Sequence, residues 1–173
     1  MVEAFRGRPM AEIRILLVMI YLSGSEGLPN DPVEGLKWLR RAAEHDDPLA
    51  QDTLAIRLIK GVDVSPDSAE ALKWLRRAAE RGNAMAQNDL GYALETGEAD
   101  KPDLVEVCTW YRLASEQGIA QAKVNLSRLI RRLSAEQQLE VARRVRDFRL
   151  KPEPQLTPVR SDEDAGASVM KSP

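Results

Sequence analysis

Four kinds of side chain have the types and spacings that chemistry would need. Cys108 is the only cysteine and His45 the only histidine, so any thiol nucleophile and imidazole base must be this pair. Asp and Glu recur three residues apart at Asp31/Glu34, Asp67/Glu70 and Asp103/Glu106, a spacing that places two carboxyls on one helix face for acid–base work. Arginine doublets Arg40/Arg41 and Arg76/Arg77 present paired guanidiniums of the kind that track phosphates.

Each of these residues takes a different meaning from the elements that must carry it. The segments LKWLRRAAE (36–44), LKWLRRAAE (72–80) and CTWYRLASE (108–116) are one motif written three times, with Trp38, Trp74 and Trp110 each 36 residues apart. A period of that size marks a solenoid of stacked units, each burying its apolar face only against its neighbour. Cys108 falls at the position of Leu36 and Leu72, so it is expected to be a small buried apolar side chain. His45 aligns with Arg81 and Gln117 at the exposed end of the helix. The Asp–x–x–Glu pairs precede every copy, where the aspartate is an N-cap and the glutamate is expected to reach back to the cap amide. Pro32 suits the first helical position, and Gly82 and Gly118 suit the left-handed end, where the first copy has Asp46. The arginines are offset by Glu34, Glu44, Glu70 and Glu80 and read as an ion-paired outer face, with Arg40 and Glu44 at an i,i+4 spacing.

Between the tryptophan helices a second, shorter helix repeats Ala-x-x-x-Leu at Ala50–Leu54, Ala86–Leu90 and Ala122–Leu126, again stepping by 36. Ile13, Leu17, Tyr21 and Gly24 supply the same helix for the first unit, so each unit is a hairpin of helix A followed by the tryptophan helix B. Arg128–Leu133 is expected to complete the last helix A. Ser134–Gln137 reads as a capping box for a final helix with Leu139, Ala142, Val145 and Phe148 inward and Arg143, Arg144, Arg146 and Arg149 outward. The predicted organisation is an N-terminal lead-in (1–10) and a solenoid (11–150). Within it lie repeats at about 13–48, 49–84 and 85–120 and C-terminal capping helices at 121–150. A disordered tail (151–173), rich in proline and without periodicity, is expected to follow.

Composition narrows the function. Charges nearly balance, 25 basic against 27 acidic residues, which argues against an unspecific polyanion binder, and no nucleic-acid partner is expected. The apolar run Ile15–Leu22 is far short of the roughly 18–20 residues a membrane span needs, so no membrane insertion is expected. It also lacks the features of a signal peptide. The expected location is the cytoplasm, or the periplasm if the start lies further upstream. One cysteine excludes an intrachain disulfide, and with one histidine no usual zinc ligand set exists. No metal, cofactor or catalytic residue is expected.

The order A-x-x-x-L-G-x-x-(Y/L)-x-x-G, then D-x-x-(E/K)-A-x-x-W-(Y/L)-x-x-A-A-E-x-G, resembles the Sel-one-like repeat (SLR) family of bacterial tetratricopeptide-type solenoids. The third unit matches best, through Ala86, Leu90, Gly91, Leu94, Gly97, Trp110, Tyr111, Ala114 and Gly118. The resemblance implies an all-α, α/α superhelical solenoid of antiparallel hairpins. It also implies a non-enzymatic scaffold or adaptor that holds a protein or peptide partner in the concave groove of its A helices. By analogy with tetratricopeptide grooves, the inward positions are Asp52, Ile56 and Ile59, then Asn88, Asp89, Tyr92 and Glu95, then Asn125, Arg128, Arg131 and Arg132. The amides suit a peptide backbone and the arginines a carboxylate. A cysteine-paired subset of the family binds or hydrolyses β-lactams, the alternative function, but this chain has no cysteine pair. The partner's identity and the oligomeric state are not encoded in these patterns.

Overall fold

A computed structural model describes residues 31–97 and 102–150. Among them are seven α-helices and no strand: α1 (Pro32–Glu44), α2 (Pro48–Lys60), α3 (Ser68–Glu80), α4 (Ala84–Thr96), α5 (Leu104–Glu116), α6 (Ala120–Leu129) and α7 (Ala135–Leu150). The tryptophan helices α1, α3 and α5 alternate with the A helices α2, α4 and α6, and each packs mainly on its neighbours in sequence. The result is an α/α solenoid. The lead-in, the Ile13–Gly24 helix and the tail lie outside the described residues.

Helix starts follow the sequence closely. Asp31 accepts from the N–H groups of Val33 (3.1 Å) and Glu34 (3.0 Å), Asp67 from Glu70 (2.8 Å), and Asp103 from Val105 (2.9 Å) and Glu106 (3.2 Å). Two of the A helices, α2 and α4, are capped as well: Asp47 accepts from Ala50 N–H and Asn83 from Ala86 N–H, both at 2.8 Å. α2 and α4 are as long as the B helices, 13 residues each, and only α6, with 10, is shorter.

The glutamates of the Asp–x–x–Glu pairs do something other than cap. Glu70 accepts both guanidinium nitrogens of Arg40, thirty positions earlier on the preceding B helix, and the indole N–H of Trp74 at 3.1 Å. Glu106 repeats this with Arg76 (2.8 Å) and Trp110 (3.4 Å). Arg40 therefore pairs with the next unit and not with Glu44. Its guanidinium holds the Glu70 carboxyl below the usual carboxylate range, with the Trp74 hydrogen bond adding to the effect. An N3 carboxylate facing a neighbouring guanidinium gains a charge-assisted bond that a cap amide cannot match.

Behind this surface lies an apolar seam. Ala42, Ala43, Ala78, Ala79 and Ala114 on the B helices are fully buried, together with Leu39, Leu75 and Tyr111 and with Leu54 and Leu90 of the A helices. Small side chains at these positions let helix axes approach closely. One pair of positions is matched in size. Tyr111 replaces the leucines at 39 and 75, and Gly91 stands where the previous unit has Ala55. A Cβ on Gly91 would meet the Tyr111 ring at 3.0 Å.

One buried glutamine fastens each of two turns that lead from a B helix into the next A helix. Gln51 and Gln87, both fully buried, donate to the carbonyls of Ala43 (2.9 Å) and Ala79 (3.1 Å), which lie in the last turn of the preceding B helix. Each of these carbonyls also accepts a backbone N–H of the turn, from Asp46 and Gly82 respectively, so the amide adds a second bond that ties the following helix to the turn. Asp46 adopts a left-handed φ of 64° where the other copies have glycine, and its carboxylate bridges Arg77 (2.6 Å) and Arg81 (2.7 Å) of the next unit.

The C-terminal end departs most from expectation. α6 stops at Leu129 and the chain continues as a 3-10 turn, Ile130–Arg132, so helix A is not completed to Leu133. Ser134 and Gln137 do form the reciprocal capping box, with bonds of 2.9 and 3.2 Å. The inward stripe of α7 is Val141, Val145 and Phe148, whereas Leu139 is 71% exposed and Ala142 is also exposed. Val145 and Phe148 face inward as expected, while Val141 takes the place of Leu139 and Ala142 because α7 returns onto α5, where Phe148 meets Trp110 edge-on at 5.7 Å.

Gly91→Val is expected to overpack the helix against Tyr111 and destabilise the fold by about 1–3 kcal/mol, measured by urea unfolding. In the double variant Gly91→Val/Tyr111→Leu most of that loss should return. A loss that persists in the double variant would show that the contact is not the cause.

Candidate functional site

The free face of the A helices is built from equivalent positions stepping by 36 along α2, α4 and α6. These rows read Leu49–Met85–Gln121, Asp52–Asn88–Val124, Ile56–Tyr92–Arg128 and Ile59–Glu95–Arg131. At helical periodicity each A helix contributes one narrow stripe, on the side away from the seam. Of the nine large hydrophobic side chains most exposed among the described residues, five stand here: Leu49, Ile59, Met85, Tyr92 and Val124. α2 and α4 touch directly along this side.

Of the expected groove residues, Asp52, Ile56, Ile59, Asn88, Tyr92, Glu95, Arg128 and Arg131 fall in these rows, Asp89, Asn125 and Arg132 lie next to them in sequence, and they differ in availability. Tyr92 is 58% exposed, Ile56 is half-buried and Ile59 is exposed. Arg128 is exposed but already engaged: it pairs with Glu95 at 2.6 Å, and Glu95 also accepts from the Tyr111 hydroxyl at 3.0 Å. Arg131 and Arg132, in the 3-10 turn, are exposed. The amides are less open than a backbone reader needs. Asn88 is only 8% exposed and donates to Asp89 Oδ1 at 2.9 Å, while the equally buried Asn125 accepts from Gln121 at 3.1 Å.

The electrostatics of the face centre on Asp52. It is 6% exposed, and its Oδ1 has no hydrogen-bond partner; neither does the Oδ1 of Asn88. Burial pushes the Asp52 carboxyl up to about 6, and the neighbouring charge of Asp89 adds to the rise. Burial also raises Asp89, opposed by its bond from Asn88 and by the charge of Lys60. Sequence reasoning placed both aspartates on this face but had no signal for their mutual influence, which depends on the stagger between adjacent helices.

The other chemical candidates do not assemble. Cys108 is fully buried, and desolvation, with the charge of Glu95 second, raises its thiol to about 11, against any role as a nucleophile. His45 is exposed at the C-cap of α1. Among the described residues no three His, Cys, Asp or Glu side chains converge as metal ligands, and no helix is long and apolar enough to cross a membrane. A hollow of about 650 Å³ lies on the opposite side, between α3, α5 and α7, floored by Trp110, Leu113 and Phe148. Its arginines are spent on acids: Arg77 and Arg81 on Asp46, and Arg144 on Glu140 at 2.8 Å. On α1 and α3 the tryptophans carry arginines over their rings, Arg41 at 4.8 Å and Arg77 at 5.7 Å.

Comparison with known proteins places this geometry. The Sel1 repeat model matches residues 19–47, 48–83 and 84–119. The chain belongs to the Sel1 repeat family. It is similar to a crystal structure of a Sel1 repeat protein from Oxalobacter formigenes, with 35% identity over 68% of this chain and 87% of that one, at a TM-score of 0.63. It shares its fold with c5321, a protective antigen of uropathogenic Escherichia coli strains displaying an SLR fold. There the identity is 22%, the TM-score 0.65, and the match covers 84% of this chain and 39% of that one. A search of curated proteins gave no match. Sel1 repeat proteins generally mediate protein–protein interaction.

The raised Asp52 carboxyl has a consequence for stability. A carboxyl whose folded-state value exceeds its unfolded one, near 4, favours the fold when protonated, so that contribution is present at low pH and lost as pH rises from about 4 to about 6. Asp52→Asn is therefore expected to raise the Tm by a few degrees at about pH 8 and to change it little near pH 4, by thermal unfolding. A gain of the same size at both pH values would contradict the assignment.

Proposed function

We propose that this Sel1 repeat protein is a non-enzymatic scaffold whose A-helix face binds a peptide or a segment of another protein. The observation that carries this reading is the concentration of exposed apolar side chains on that face, Leu49, Ile59, Met85, Tyr92 and Val124, in a chain whose B helices α3 and α5 expose none of comparable size. Contiguous exposed apolar surface rimmed by charge marks interaction sites in soluble proteins. The rows also change character along the array, from Ile56 and Ile59, through Tyr92 and Glu95, to Arg128 and Arg131. A ladder of that kind gives a bound segment direction as well as affinity.

No observation favours the β-lactam alternative. The described residues bring no nucleophile and base together, and the one thiol is sealed in the seam.

A photoreactive amino acid at position 92 is expected to crosslink a protein partner in the native host, whereas the same probe at position 41 on helix α1 should give none. Adducts of equal yield from both positions would overturn the assignment. With the captured partner purified, Ile59→Ala/Tyr92→Ala is expected to weaken binding about tenfold or more, with helicity unchanged because both side chains are exposed.

A further inference from the structure

The geometry points to a cationic side chain, a lysine or arginine flanked by apolar residues in a protein partner, seated on the acceptor cluster of Asp52, Asn88 and Asp89. This rests on the reading of the A face as the binding face and adds the chemistry of what it binds.

The cluster contains acceptors in excess of donors. Asp52 on α2 lies close enough to Asp89 on α4 to feel its charge, where the two helices touch, and the one side-chain donor bonded to either is the Asn88 amide, held by Asp89 at 2.9 Å. No described salt bridge reaches Asp52 or Asp89, and Lys60 acts on Asp89 only through space. The cap aspartates of the same chain show the contrast: Asp31, Asp47, Asp67 and Asp103 each accept from backbone N–H groups.

A buried polar group without a partner is costly, and a buried carboxylate without a countercharge more so. Asp52 and Asn88 are both more than nine-tenths buried, and each leaves an oxygen with no partner. What is missing is a donor that also carries positive charge. A neutral backbone N–H would leave the charge of both carboxylates uncompensated, and an anion would be repelled. A metal ion would find only two carboxylates, and among the described residues no three His, Cys, Asp or Glu side chains converge to hold one. An ammonium or guanidinium supplies donors and charge together. The surroundings suit its stem. Tyr92, one turn beyond Asn88, offers a ring face for a cation, and Ile56 and Ile59 offer aliphatic surface for the methylenes.

Panning a random-peptide phage library against the purified protein at neutral pH is the test. Selected peptides are expected to carry a Lys or Arg beside apolar residues. Synthetic copies should bind Asp52→Asn/Asp89→Asn about tenfold more weakly than wild type. Replacing the basic residue by Gln should weaken wild-type binding similarly but leave the double variant unaffected, the pattern of a direct contact. Peptides without basic residues, or basic peptides held equally by both proteins, would overturn the cation assignment while leaving the A face as the binding face. Peptides retained by Ile59→Ala/Tyr92→Ala, or a library that yields no binder, would overturn the A-face reading and this inference with it. The asparagine replacements are near-isosteric and remove buried charge, so folding is not the limiting factor, and circular dichroism checks it.

Discussion

The close approach of helices at the fully buried alanines of each B helix is the constraint from which the rest of the architecture follows. Ala42, Ala43, Ala78, Ala79 and Ala114 have essentially no exposed surface. Larger side chains there would push the neighbouring A helix outward. Where the spacing changes, it changes on both sides at once, as Tyr111 is accommodated by Gly91. Each unit therefore constrains the next, and the period of 36 is the sequence record of a packing distance.

The repeated polar residues serve the same end. Arg40 with Glu70 and Arg76 with Glu106 tie successive B helices, and the tryptophans Trp74 and Trp110 donate to those same glutamates, so three side chains per junction lock the rotation of one unit against the next. Such exposed pairs are individually worth little, about 1 kcal/mol at most, and their value lies in geometry. The buried glutamines fasten the turns between units, each tying an A helix to the end of the B helix before it. At the end of the array the pattern is modified: Leu113 stands where Arg77 covers Trp74, and Phe148 of α7 closes over Trp110 instead. An aromatic from a final helix replaces the cation that a continuing array would supply.

Much of this was legible in the chain. The N-caps at Asp31, Asp67 and Asp103, the left-handed positions 46, 82 and 118, and the buried Cys108 all follow from local rules applied to a repeat. What was not legible depends on contacts between units. The glutamates were assigned to their own helix ends because the capping rule is local, whereas their partners lie thirty residues earlier. On α7 Val145 and Phe148 were legible but Val141 was not, because Leu139 and Ala142 continue a helical stripe with Val145 as well as Val141 does, and only the docking onto α5 decides between them. For the candidate site, the sequence placed Asp52, Asn88, Tyr92 and Arg128 on one face. It did not show that Asp52 is sealed and unpaired or that Arg128 is already paired with Glu95.

That contrast between the two sides of the molecule bears on function. On the B side arginine–glutamate pairs join successive units, and α3 and α5 leave no large apolar side chain exposed. On the A side the same chain leaves five large hydrophobics in water and keeps a carboxylate buried without a countercharge. Both features cost stability, and neither helps to stack one unit on another, since the seam and the arginine–glutamate junctions already do that. Position by position, the residues that repeat are those that hold the array, and those that change from α2 to α4 to α6 are those on the exposed face. A surface that is varied, apolar and electrostatically incomplete is at a disadvantage in the isolated protein, and that disadvantage is relieved when another molecule covers it.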